Sequence, residues 1–291
     1  MCDNDSMDDM IEYQLRSKEL SRRTFGALAV GTGLTAMMPG IANAAETKES
    51  EIEIKTADGV CDAYFVHPAK GKHPGVLIWP DIFGLRPTFR QMGKRLAESG
   101  YSVLVVNPFY RTKKAPTAPE KANFQDPETR SALMALAGTL SPQTVLTDAK
   151  SFIEYLDKQS SVDTKRKIGT TGYCMGGPFT MRTAAAFPER IGAGASFHGG
   201  GLVTDKPDSP HLLVGQMKAH YLFAIADNDD KRQPEAKDAL REAFAKAKLP
   251  AEIEVYPAMH GWCPPDSQVY NEEQAEKAWG RLLALFKEAL A

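Results

Sequence analysis

The chain has no excess of charge to work with. Lysine and arginine number 35 against 37 acidic residues, a formal net charge of −2. Nothing in that balance favours nucleic acid or an anionic membrane as a partner. Cysteine is scarce, with four in 291 residues: Cys2, Cys61, Cys174 and Cys263. They form no C-x-x-C pair and no zinc-ligand spacing, so neither a structural metal nor a disulfide framework is expected. No metal or organic cofactor is called for. There is no internal repeat, and no apolar run long enough to span a bilayer comfortably. The rest is ordinary globular composition, with 43% apolar, 25% charged and 9% aromatic residues. A chain of this size buries a substantial core without disulfides.

Residues 1–44 read as a leader. "SRRTFGALAVGTGLTAMMPGIANAA" holds Arg22 and Arg23, then a weakly apolar run from about Phe25 to Met38, then Ala42-Asn43-Ala44 as an A-x-A cleavage pattern. The pattern resembles a twin-arginine export signal, which implies the export machinery as partner of the precursor and a periplasmic or secreted product. The acidic start "MCDNDSMDD" is unusual for such a leader, and a helical arm or membrane anchor is the competing reading. Cleavage after Ala44 leaves residues 45–291 with no formal net charge and no stable membrane insertion. Three cysteines remain, so at least one thiol is unpaired.

From there strands and helices alternate. "EIEIKTADGVCDAYFVHP" alternates polar and apolar residues about Asp58-Gly59, which predicts a β-hairpin. Strands are expected at "HPGVLIWP", "YSVLVVNP", "KIGTTGY", "AGASFHGGG", "HYLFAIADNDD", ending in an acidic loop, and "AEIEVYP". Helices are expected over 88–100, from about 128 to 140, and over 142–159, 178–191 and 234–249, with a long one at the C-terminus. The segment 109–128 is looser, either a lid or a surface loop. Such alternation with short connections predicts a single α/β domain over residues 45–291, a mostly parallel sheet flanked by helices on both faces.

One stretch carries chemistry. Gly172-Tyr173-Cys174-Met175-Gly176 is G-x-C-x-G between a predicted strand and a predicted helix. That is the pattern of the nucleophile elbow of α/β-hydrolases, with Cys in place of the usual Ser. A nucleophile on a tight strand-to-helix turn needs glycine neighbours, and the helix N-terminus behind it favours thiolate over thiol. The Met175 N–H is placed to receive a developing oxyanion. Such a thiol needs a base and the base an orienting acid, in the chain order nucleophile, acid, histidine. His260, in "AMHGW" after the last strand, fits the base. Asp229 and Asp230, in "DNDD" after the preceding strand, both fit the acid, with Asp229 preferred. His198, in "SFHGGG", is a candidate to line the pocket. The competing readings are a buried structural cysteine, a loop histidine with no role and a solvated charge run.

Together "GYCMGG", "WPDIFGL", "DNDD" and "HGW" resemble the dienelactone hydrolase family, from about Lys55 to the C-terminus. The resemblance implies an α/β-hydrolase fold and hydrolysis of a small carboxylic ester or lactone through a Cys-His-Asp triad. It implies that the acid at position 81 contacts the resting thiol and is displaced when substrate binds, and that the Ile82 N–H completes the oxyanion hole with Met175. Position 81 is Asp where the family has Glu, one methylene shorter. "GWCPPD" lacks an arginine that the best-known members use for the substrate carboxylate; Arg130 is the candidate match for a second such arginine, and Trp262 a further candidate substrate contact. Two other classes compete: a non-catalytic protein binding a small ligand on the same fold, and a thiol-redox protein with Cys263 or Cys61 as resolving cysteine.

Overall fold

A computed structural model describes residues 44–291. The leader expected over 1–44 lies, apart from Ala44, outside the described residues. The hairpin comes first, with β1 (Thr47–Thr56) antiparallel to β2 (Gly59–Pro68). Its turn is one residue earlier than expected, since Thr56 pairs with Gly59 and leaves Ala57-Asp58 as the loop. β1 also begins four residues before the alternation does. Its Thr47–Ser50 stretch is mostly exposed and holds its place through backbone pairing on an edge strand.

β3 (Gly75–Trp79) leads to α1 (Pro87–Glu98), and β4 (Ser102–Val106) to α2 (Pro127–Ala137) and α3 (Pro142–Asp157). β5 (Ile168–Tyr173) leads to α4 (Gly176–Ala186), and β6 (Ile191–Phe197) to a 3-10 turn at Pro210–Gln216. β7 (His220–Ala226) is followed by α5 (Asp227–Arg232) and α6 (Ala236–Ala247), and β8 (Ala251–Tyr256) by α7 (Glu272–Ala289). The eight strands form one sheet in the order β1-β2-β4-β3-β5-β6-β7-β8. Pairing is antiparallel at β1–β2 and β2–β4 and parallel from β4 to β8. This is the mostly parallel sheet flanked by helices expected from the alternation, and the α/β-hydrolase architecture that the resemblance implies.

Local chemistry sets several of the helix starts. Ser141 and Thr144 form a reciprocal capping box on α3, the Asp126 side chain accepts from the Thr129 N–H on α2, and Asn271 does the same for Gln274 on α7. One face of the sheet packs Phe89, Met92 and Leu96 of α1 and Ala278, Leu282 and Phe286 of α7. The other packs Phe152 and Leu156 of α3, Met181 and Ala184 of α4, and Leu240 and Phe244 of α6. With both faces covered, β3 and β4 are buried at every position, which is why they read as unbroken apolar runs. The sequence "DNDD" is a correction: it is the first turn of a short helix rather than a loop.

No helix among the described residues is long and apolar enough to cross a membrane.

Candidate active site

The parallel strands end along one edge, and the expected site residues hang from that edge. Cys174 follows β5 directly with a left-handed backbone, φ +51°. The turn is tight enough to require glycine on both sides. A Cβ at Gly172 would lie 2.1 Å from the Gly176 carbonyl oxygen, and one at Gly176 would lie 2.3 Å from that of Trp79. Neither contact is sterically possible, so the elbow exists only with these two glycines. The Cys174 N–H donates to Phe197 O at 3.0 Å, and the Gly177 N–H closes the turn onto Cys174 O at 3.0 Å. Cys174 is itself buried, 7% exposed.

Ile82 and Met175 lie on the two loops that leave the neighbouring ends of β3 and β5. Trp79 pairs with Gly172, and each of the two residues lies three positions past that pair. Asp81, just before Ile82, is 7% exposed and already engaged. Its Oδ1 accepts from the Phe83 N–H at 2.9 Å and from Arg86 Nη1 at 2.7 Å, and its Oδ2 accepts from Arg86 Nη2 at 3.0 Å. The same guanidinium reaches Asp266, Nε to Oδ2 at 2.7 Å. Burial opposes the charge on Arg86, but Asp81 and Asp266 outweigh it and hold the group firmly protonated. Arg86 therefore ties the loop after β3 to the loop after β8.

The segment after β4 packs against the same loop. Thr117 Oγ1 donates to Phe83 O at 2.8 Å, and the rings of Phe83 and Phe124 meet edge-on at 6.4 Å. Farther along, Asn107 Nδ2 donates to Lys113 O, and Ala115 N–H to Asp62 Oδ2. Arg130 sits in the first turns of α2, half-buried.

His260 lies past β8, before Gly261, whose φ of +98° turns the chain away. Its Nδ1 meets Asp229 Oδ2 at 2.6 Å. Its backbone N–H donates to Asn228 Oδ1 at 2.8 Å. α5 thus holds His260 twice, once by the ring and once by the backbone. Asp230 points elsewhere, to Lys237 Nζ at 2.6 and 2.9 Å, and Asp227 to Lys231. Trp262 is fully buried, stacked on Tyr256 and edge-on to His198, so it supports the site from within. His198 touches His260 edge to face, ring centroids 5.0 Å apart. A cavity of about 220 Å³ lies beside His260 and Asp229, lined also by Leu202, Ile225, Leu240 and the Gly199–Gly201 turn, and Cys174 is not part of its wall.

Of the other two cysteines, Cys61 is fully buried and Cys263 is as buried as Cys174. Cys61 belongs to the cluster under α3, and Cys263 to the cluster beneath α1 and α7. Burial pushes both thiols up from their ordinary value. Among the described residues no group of His, Cys, Asp or Glu is arranged to hold a metal ion.

The sequence reading did not find Asn228 or Arg86. Asn228 sits inside a run where only carboxylates were weighed, and Arg86 meets a partner 180 positions away.

The dienelactone hydrolase family model matches residues 61–290. The chain belongs to the dienelactone hydrolase family. A relative from Methylorubrum extorquens, provisionally named carboxymethylenebutenolidase, is 28% identical over 282 residues, 92% of this chain and 93% of its own. The carboxymethylenebutenolidase of Rhodococcus opacus is 28% identical over 187 residues, 64% of this chain and 68% of its own. A crystal structure of a provisionally named dienelactone hydrolase from Klebsiella pneumoniae superposes with a TM-score of 0.72 at 24% identity, covering 84% of this chain and 99% of that one. That likeness concerns the fold. By membership the protein is a hydrolase of the dienelactone hydrolase type.

Proposed function

We propose that the protein hydrolyses a small carboxylic ester or lactone through an acyl-enzyme on Cys174, with His260 as base and Asp229 as orienting acid. One contact carries the reading: the 2.6 Å approach of His260 Nδ1 to Asp229 Oδ2, on the strand-end edge that also bears the Cys174 elbow. An imidazole that donates Nδ1–H to a carboxylate presents Nε2 as its basic atom. Nε2 takes the thiol proton, and the sulfur attacks the carbonyl carbon, forming a C–S bond. The carbonyl electron pair moves onto oxygen, where the N–H groups of Ile82 and Met175 receive it. Collapse breaks the C–O bond, and His260 returns its proton to the leaving oxygen. Water then loses a proton to Nε2 as its oxygen attacks the thioester. The C–S bond breaks, the acid departs and the thiol is restored. With a lactone the leaving oxygen stays attached and one acid is released.

The carboxymethylenebutenolidase relatives suggest enol lactones bearing a carboxylate as the first class to try, with Arg130 as candidate partner for that carboxylate. Because Asp81 is held by Arg86, the thiolate in this scheme is generated by His260. A switching role for Asp81 would require it to leave Arg86 first.

The test is hydrolysis of p-nitrophenyl acetate and of an ester and lactone panel, dienelactones included. Cys174→Ala and His260→Ala should lower kcat/KM by at least ~10³-fold, and Asp229→Asn by at least ~100-fold. Asp230→Asn should stay within about twofold. Turnover that survives Cys174→Ala would discard the scheme. Peroxide consumption dependent on Cys263, with no esterase activity, would favour the thiol-redox reading instead.

A further inference from the structure

β5 and β6 run in register, with Tyr173 opposite Phe197. The next residue on one strand is Cys174 and on the other His198, so the two are lateral neighbours at the sheet edge. Both have left-handed backbones, φ +51° and +40°. A non-glycine residue there costs roughly 1–3 kcal/mol and persists only where its surroundings enforce it. Here they do. The His198 N–H donates to Ala224 O on β7 at 2.8 Å, and Phe197 O accepts from the Cys174 N–H at 3.0 Å. Close packing completes the turn: a Cβ on Gly199 would lie 2.2 Å from Ser196 Oγ. The "FHGG" turn thus presents His198 as the neighbouring turn presents the nucleophile.

The ring pays a second cost. His198 is 1% exposed and enclosed by the rings of Tyr173, Trp262 and His260. Neither Nδ1 nor Nε2 bonds any other residue, and the one hydrogen bond that bears on the ring is to its own backbone, which leaves at least one nitrogen unmatched. A neutral imidazole always carries one donor and one acceptor, and leaving a buried polar group unmatched costs about 1–3 kcal/mol. Phenylalanine would fill the same aromatic box without that cost. Burial, helped by the adjacent His260, holds the His198 ring well below the ordinary imidazole value, so it remains neutral. Strain and desolvation fall on one residue, which touches the His260 ring and follows the strand next to that of Cys174. Sequences break local rules in this way where function requires it.

We propose that His198 is a substrate-contacting residue of this site, a neutral imidazole that hydrogen-bonds an oxygen of the reacting species. That oxygen belongs either to the ester being cleaved or to the water that releases the acyl group. The inference rests on the acyl-enzyme reading of Cys174. His198 transfers no proton in either case; it donates or accepts one hydrogen bond and fixes where the oxygen sits.

The experiment compares the full chain with His198→Phe and His198→Asn, using stopped-flow p-nitrophenyl acetate hydrolysis with circular dichroism as a folding control. Phe keeps the ring and removes the hydrogen bond. Asn keeps hydrogen-bonding capacity and tolerates a left-handed backbone. His198→Phe should lose at least about tenfold in rate while folded, and His198→Asn should retain more activity than His198→Phe. A loss in the acylation burst identifies the ester oxygen, and a loss confined to steady-state turnover identifies the deacylating water. His198→Phe turning over within about twofold of wild type overturns the proposal, as does an equal loss in both variants. If His198→Phe does not fold, 15N-histidine spectra decide on the wild-type chain. Alkylating Cys174 with iodoacetamide places an amide carbonyl where the acyl group would sit, and the His198 ring nitrogens should shift. No shift overturns the proposal. A wild-type chain inert towards every ester would instead refute the acyl-enzyme reading itself, so the two failures are told apart.

Discussion

At the scale of single residues, three cysteines of the described chain meet three environments. Cys174 stands on a turn at a helix N-terminus, a setting that favours thiolate. Cys61 and Cys263 are enclosed in apolar clusters, and burial holds both as thiols. Iodoacetamide at pH 8 should therefore label Cys174 first, with Cys61 and Cys263 protected until the chain unfolds. Peptide mapping by mass spectrometry reads this directly, and native labelling of Cys263 ahead of Cys174 would contradict it. The elbow was legible because its glycines are obligatory and adjacent in sequence. The choice between Asp229 and Asp230 was not, because neighbouring residues on a turn point in different directions. Only the placement of α5 sends Asp229 to His260 and Asp230 to Lys237.

At the scale of elements, Arg86 couples two loops that sequence separates by 180 positions. Its two carboxylates are not equivalent. The Asp81 side chain is 9% exposed and that of Asp266 42%. Removing the cation leaves a buried carboxylate uncompensated, so Arg86→Gln should cost ~3 kcal/mol. Asp266→Asn breaks a solvated pair and should cost under about 1 kcal/mol. Urea unfolding of both variants checks the order, and the double variant Asp81→Asn/Arg86→Gln should be more stable than Arg86→Gln alone. Most strands and helices were readable because a sheet covered on both faces leaves short apolar runs between Gly and Pro. The run Asp227–Arg232 was not read as helix because it has no apolar periodicity; its helix is imposed by the strand end before it and by the Asp227 N–H to Ala258 O bond.

At the scale of the whole molecule, the site lowers stability in acid. His198 takes its proton far less readily folded than unfolded, because burial and His260 disfavour the imidazolium. Below pH 6.5, the ordinary histidine value, the unfolded chain therefore binds a proton that the native chain refuses. Stability should fall as pH drops through that window, and His198→Phe should flatten the slope. The groups that face the ring, Tyr173, Trp262, His260 and, through His260, Asp229, remain in both chains, so the difference in slope between them reports on His198. Thermal unfolding from pH 7.5 to 5 measures it, and identical slopes would refute the assignment of the acid loss to His198. The topology carries a separate consequence. The Ala45 N–H is bonded to Glu98 O at the far end of α1, and Leu290 O accepts from Arg166 just before β5 begins. Both positions lie at the sheet margin where the parallel strands start, a full strand length from Cys174. A linker joined at the C-terminal residue would anchor the molecule with the Cys174 edge of the sheet facing outward. Immobilisation on a bead or fusion to a carrier through that residue should leave the Cys174 edge unobstructed.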